Sequence, residues 1–174
     1  IIFEKRCAVF IVAHLFLIDI FNFVCYTQIR KTQKRHNMKA IVYTSNTGYT
    51  KQYAEMLAEK LQLPVYSLDK IKKSLSRDDE IIYFGWLMAG FISGYKAVSG
   101  KCKIRAVCAV GMGANGSQTE EARKSNKICK CIPLFVLQGG LDMARLNPIY
   151  KFMMKIVTKK IEKDMLAKPS RTED

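Results

Sequence analysis

The stretch Met38-Lys39-Ala40-Ile41-Val42-Tyr43-Thr44-Ser45-Asn46-Thr47-Gly48-Tyr49-Thr50 decides how this chain folds. Lys39 to Tyr43 is a short apolar run of strand length. From about Thr50 to Leu61 the apolar residues recur at helical spacing, with Tyr53, Met56, Leu57 and Leu61 on one face. Between the two lies a turn of hydroxyl and amide residues. A strand that feeds a helix through such a turn gathers unpaired backbone N–H groups and the positive end of the helix dipole at one spot, which suits a phosphate. Ser45, Thr47 and Thr50 add donors without adding charge, and Gly48 lets the backbone turn close to the ligand. No lysine follows the glycine, so this is not a Walker A loop, and the Gly-x-Gly-x-x-Gly of dinucleotide sites is missing. On these residues alone, an ordinary turn rich in Ser and Thr remains the bland alternative.

Beyond this stretch, short apolar runs alternate with helical stretches, the pattern of an α/β fold with a parallel sheet and crossover helices. Pro64 to Leu68 reads as a second strand, followed by a lysine-rich helix ending near Arg77. Glu80 to Phe84 is a continuous apolar strand, expected at the sheet centre and broken by Gly85. Ile104 to Val110 is the fourth strand and ends in the glycine-rich Gly111-Met112-Gly113-Ala114-Asn115-Gly116. The next helix is predicted over Ser117 to Lys127, with Ser117 as N-cap and Glu120 three residues on. Pro133 to Leu137 is the fifth strand.

Residues 1–37 read as a leader preceding a domain over 38–174. Cys7 to Tyr26 has membrane-spanning length but contains His14, Asp19 and Asn22, and a central aspartate costs roughly 3 kcal/mol on insertion scales. Two readings stay open: a non-native or mis-assigned start, favoured by a domain beginning at its first strand after Met38, and a signal anchor that keeps the rest cytoplasmic.

Lys and Arg total 29 against 15 Asp and Glu over 174 residues, a formal charge of +14, and the basic excess persists without the leader. Such a field favours anionic partners. Six cysteines, none spaced Cys-x-x-Cys, do not make a stapled secreted scaffold, and only His14 and His36 supply imidazole, so no metal site or His-based triad is expected. Cys108 is expected to be a buried small hydrophobe. Cys129 and Cys131, on one face if extended, form a candidate redox or regulatory pair. Nucleic acid is disfavoured, because the lysines are dispersed and not interleaved with exposed aromatics.

Ser45, Thr47, Gly48 and Thr50 match position for position the first loop of the flavodoxin family, Ser/Thr-x-Thr-Gly-x-Thr, and the chain resembles that family over most of Met38 to about Lys163. Flavodoxin is itself the type example of the doubly wound order 2-1-3-4-5, with its flavin at the switch point between strands one and three. The resemblance implies a three-layer sandwich around five parallel strands and FMN as cofactor. Its phosphate would be wrapped by Ser45, Asn46, Thr47, Gly48, Tyr49 and Thr50. Its ring would lie between Gly85-Trp86-Leu87-Met88 and Gly111-Met112-Gly113, with Gly116 a further candidate donor. Trp86, the one tryptophan, stands where a stacking ring is wanted; the alternative is that it packs the edge of the core.

Leu134 to Asp142 and Leu146 to Lys155 look like the branch of the family that includes the menaquinone-dependent protoporphyrinogen oxidases. Members continue into one more helix, so a domain ending at Asp174 is expected to lack its final helix. The resemblance implies non-covalent FMN and electron or hydride transfer, with no side chain required as acid, base or nucleophile. The basic charge turns the expectation from a free carrier toward an oxidoreductase acting on an anionic small molecule, a quinone or an acidic partner protein. The alternative class is a flavodoxin-like binding or scaffold module without FMN. The segment Ile149 to Ile161, apolar over a wide arc opposite Lys151, Lys155 and Lys159, suggests peripheral contact with an anionic membrane; the bland alternative is a core-facing helix.

Overall fold

The computed structural model describes residues 25–71 and 73–140. The sequence expectations for Cys7 to Val24, for Ile149 to Ile161 and for a missing final helix fall outside these residues. The element order is α1 (residues 25–35), β1 (Met38–Thr44), α2 (Tyr49–Leu61), β2 (Val65–Ser67), α3 (Leu68–Ile71), β3 (Glu80–Met88), β4 (Phe91–Ile92), α4 (Tyr95–Ser99), β5 (Lys103–Gly111), α5 (Thr119–Ser125) and β6 (Leu134–Gln138).

Five strands pair in parallel in the order β2-β1-β3-β5-β6, and the short β4 pairs antiparallel with the end of β3. Leaving β4 aside, this is the 2-1-3-4-5 order expected from the sequence. The chain leaves β1 toward one edge, to β2, and returns across it to β3, so the crevice of the fold lies beyond the carboxyl ends of β1 and β3.

The sheet is buried on both faces because its central strands carry no polar alternation. Ile81, Ile82, Tyr83 and Phe84 of β3 are all at most 1% exposed, as are Ala106 to Ala109 of β5. Alternate residues feed two cores. Val42, Ile81, Tyr83, Val107, Ala109 and Val136 join Ile92, Tyr95 and Val98 on one face; Ile41, Ile82, Phe84, Cys108, Phe135 and Leu137 meet Ala54, Leu57 and Leu61 of α2 on the other. Each large side chain removed from water here contributes on the order of 1.5–3 kcal/mol.

Helix α1 precedes Met38 and packs on the α2 face. Cys25 is 5% and Ile29 0% exposed, and the Cys25 and Cys108 sulfurs are 4.0 Å apart. Gln33 Nε2 also donates to the carbonyl of Leu61, the last residue of α2.

Three local expectations are corrected. The lysine-rich helix does not run to Arg77: α3, which buries Leu68 and Ile71, ends at Ile71, and the chain then turns, with the Ser76 N–H donating to Asp79 Oδ2. Gly85 does not end β3, which runs on to Met88 because β4 folds back to pair Leu87 with Ile92 and Met88 with Phe91. Ser117 does not cap α5; its hydroxyl donates to the Ala114 carbonyl, and the helix starts after Gln118.

Candidate functional site

The residues singled out in the sequence come together at the carboxyl end of the sheet. β1 delivers the chain into Ser45 to Gly48, and α2 starts at Tyr49 with Gly48 as its N-cap at φ +101°, a conformation that glycine takes without strain. The Gly48 N–H donates to Ser45 Oγ at 3.2 Å, which closes the turn. The N–H groups of Asn46, Thr47, Tyr49 and Thr50 have no acceptor among the described residues. Thr50 is 2% exposed, and its hydroxyl, which makes no hydrogen bond among those residues, still touches solvent. The first turn of α2 carries no acidic side chain. The loop therefore presents unpaired backbone donors and the Thr50 hydroxyl at the positive end of a helix, an arrangement that fits an anion with several acceptor oxygens.

Three other strand ends meet this loop. Trp86 on β3 is paired in register with Val110 on β5, and the Val110 side chain closes on Gly139, where a Cβ would have no room. The Gly139 N–H donates to the Gly111 carbonyl at 2.6 Å. Gly140 in turn lies against the Tyr49 ring, so the start of α2 and the end of β6 are in contact. Tyr53, one turn further along α2, donates its hydroxyl to the Gln138 carbonyl at 2.8 Å, and burial pushes the Tyr53 phenol up from its ordinary pKa. Tyr53, Gly139 and Gly140 were not read as parts of the site. A Gly-Gly pair after the last strand was the available signal, since close backbone approach there admits no side chain.

The segment Gly85 to Met88 divides by strand alternation. Gly85 is buried against Ile92 and the Ser93 carbonyl, which leaves it no open face for a ligand. Leu87 packs with the Tyr83 core. Trp86, two residues beyond Phe84, falls on the α2 face and is half-buried, while Met88 is exposed at the hairpin. The Ser93 N–H donates to the Trp86 carbonyl, so the hairpin fixes the backbone that carries the indole.

The glycine-rich loop has two parts. Gly111, Met112 and Gly113 stand at the end of β5, with Met112 56% exposed. Asn115 and Gly116 instead seal the outer edge of β6: the Gln138 N–H donates to Asn115 Oδ1 at 2.6 Å and the Gly116 N–H to the Val136 carbonyl at 3.0 Å. Gly116, at φ +77°, serves the turn and the edge strand rather than the crevice.

A family model described as "Flavodoxin domain" matches residues 40–166. The chain belongs to the flavodoxin domain family. No curated protein and no solved structure matches the chain. Within this flavodoxin-family domain the matched span takes in β1 from Ala40 onward, the other strands described and the whole of the site. Among the described residues no helix is long and apolar enough to cross a membrane.

Proposed function

We propose that this flavodoxin-family domain binds FMN non-covalently and serves as an oxidoreductase. The observation that carries the reading is the Ser45 to Thr50 loop, with four backbone N–H groups and the Thr50 hydroxyl lacking internal partners at the N-terminus of α2. A terminal phosphate satisfies these donors together. Asn46 and Thr47 flank the phosphate, Gly48 gives the turn, and the Tyr49 ring closes the side toward Gly140. Trp86 supplies one wall for the ring system; Gly111, Met112 and Gly113 supply the other. A bound flavin would bring one- and two-electron chemistry, and the chain's own part is to anchor the phosphate, exclude water from the ring and present it.

The net charge supports an anionic reaction partner: a small anionic substrate, a quinone at an anionic surface or an acidic protein. The likeness to the menaquinone-dependent protoporphyrinogen oxidases, carried by Leu134 to Lys155, favours the quinone among these. Denaturing the purified full chain and recording the spectrum of the released small molecules tests the reading. A flavin spectrum with phosphate-dependent retention supports it; a folded protein that carries no flavin and takes up none from solution overturns it.

A further inference from the structure

At the opposite pole of the sheet, the amino ends of β5 and β6 border a cavity of about 270 Å³ lined by Thr32, Arg35, His36, Ile104, Arg105, Cys131, Ile132 and Pro133. Among the described residues its lining contains two guanidinium groups and no carboxylate. Glu80 stands behind it and takes up Arg105, through Nε at 2.9 Å and through Nη2, with His36 Nδ1 at 3.5 Å. The Arg105 guanidinium beside it holds the Glu80 carboxyl below the usual carboxylate range. Arg35 is exposed and has no ion-pair partner among the described residues, whereas Arg105 is paired with Glu80; Lys130, the sequence neighbour of Cys131, is exposed as well.

One wall of this cavity is Cys131, which is paired with Cys129. Cys129 and Cys131 are joined as a disulfide with Cα atoms 5.2 Å apart, and both residues are exposed. The turn that holds them is preset: Arg123 Nη1 donates to the Cys129 carbonyl at 2.8 Å and the Ile132 carbonyl at 3.1 Å, and the Cys131 N–H donates to Cys129 Sγ at 3.3 Å. The remaining described cysteines, Cys25, Cys102 and Cys108, are buried thiols. Accessible dithiol chemistry among the described residues is therefore concentrated at this cationic cavity, far along the strands from the Ser45 to Thr50 loop.

We propose that Cys129-Lys130-Cys131 is a thiol–disulfide exchange site whose cavity selects low-molecular-weight disulfides and thiols that carry carboxylates. In the oxidising direction the Cys131 thiolate attacks one sulfur of a carboxylated disulfide RSSR. The S–S bond of RSSR breaks, a Cys131–SR mixed disulfide forms and RS⁻ leaves. The Cys129 thiolate then attacks Cys131 Sγ, the Cys131–SR bond breaks and a second RS⁻ leaves. Both thiol protons end on the two RS⁻ groups, so two cysteine thiols are oxidised to one disulfide and RSSR is reduced to two RSH. Cys131 is the attacking residue because it lines the cavity, and Cys129 the resolving one. Arg35 draws in the carboxylates, with Lys130 adding to the field.

The test uses the full chain reduced and freed of reductant, exposed at about pH 7 to dithiodipropionate, hydroxyethyl disulfide or cystamine, which are anionic, neutral and cationic in turn. Oxidation of the Cys129–Cys131 peptide is followed by mass spectrometry. The anionic disulfide is expected to react about tenfold faster than the neutral one and the cationic one slowest, a preference of a few favourable charge contacts. Arg35→Gln should shrink that gap to about threefold, and denaturant should abolish it. Cys129→Ser should accumulate the mixed disulfide on Cys131. Equal or reversed rates in the folded protein, an unchanged gap in Arg35→Gln, or a mixed disulfide formed equally well on Cys129 in Cys131→Ser would overturn the proposal. FMN titration of the same variants is expected to be unchanged, which separates this site from the flavin reading.

Discussion

Asn126 holds Ile92 in place: its Oδ1 accepts the Ile92 N–H at 3.0 Å, while its Nδ2 donates to the Gly90 carbonyl at 2.8 Å and the Ala122 carbonyl at 2.7 Å. One amide, 7% exposed at the end of α5, thereby satisfies the turn and the second strand of the β3–β4 hairpin whose first strand bears Trp86. Two backbone groups that would otherwise be buried unpaired depend on it.

Asn126→Leu is accordingly expected to destabilise the domain by about 2–4 kcal/mol, the cost of leaving those groups unsatisfied. Urea denaturation should show the midpoint falling at constant slope. FMN affinity should fall with it, since the hairpin that orients Trp86 loosens. A midpoint within experimental error of the parent would mean that the clamp carries no energy.

The hairpin is also where sequence reasoning stopped short. Ile81 to Phe84 was legible as a central strand because buried strands cannot alternate with polar residues. The Ser45 to Thr50 turn was legible as the link between β1 and α2 because hydroxyl and glycine residues separate an apolar run from a helical one. The pairing of Leu87-Met88 with Phe91-Ile92 is only two residues deep, and its turn residues Ala89 (φ +48°) and Gly90 (φ +77°) form a turn usually announced by Asn-Gly or Asp-Gly. Ala-Gly does not announce it. Helix α4, five residues long, is similarly set by what Tyr95 and Val98 pack against rather than by its own periodicity. The sealing of β6 by Asn115 and Gly116 was hidden because it depends on which strand stands at the sheet edge.

Thr50→Val separates a ligand role from a structural one. The Thr50 hydroxyl has no partner among the described residues, so replacing it by a methyl group should leave the flavin-free protein as stable as before or slightly more so. FMN affinity should fall by about 1–3 kcal/mol, roughly ten- to a hundredfold, as one phosphate donor is lost. Equal losses of stability and affinity would show that the hydroxyl serves the fold.

Trp86 is the chain's one tryptophan, so its emission reports on a single place. It lies on the α2 face at the carboxyl end of β3, between the β1–α2 loop and the end of β5. Titration with FMN should quench it in proportion to occupancy, and Trp86→Ala should weaken binding by about 1–3 kcal/mol through lost stacking. Unchanged emission at saturating FMN would return the indole to a packing role.

Tyr83 links the two halves of the site to pH. Its hydroxyl donates to the Ser93 carbonyl at 2.6 Å and receives a hydrogen bond from Thr44 at 2.8 Å, tying β1 to the chain just after β4. Burial pushes its pKa up to about 12, against the smaller opposing effect of Thr44. The folded state therefore keeps the phenol proton at pH values where the unfolded chain has lost it. Stability from this group is fully present below about pH 10 and falls as pH rises toward 12, by up to about 3 kcal/mol at 1.36 kcal/mol per unit. Tyr83→Phe should cost about 1–3 kcal/mol near neutral pH, because the Ser93 carbonyl loses its donor. It should lose less than the parent on going alkaline, retaining only the smaller contributions of Tyr53 and Tyr95, whose phenols burial also raises. Urea midpoints of the two proteins plotted against pH should thus converge between about 10 and 12; parallel lines would show that the Tyr83 phenol ionises in the folded protein as readily as in the unfolded one.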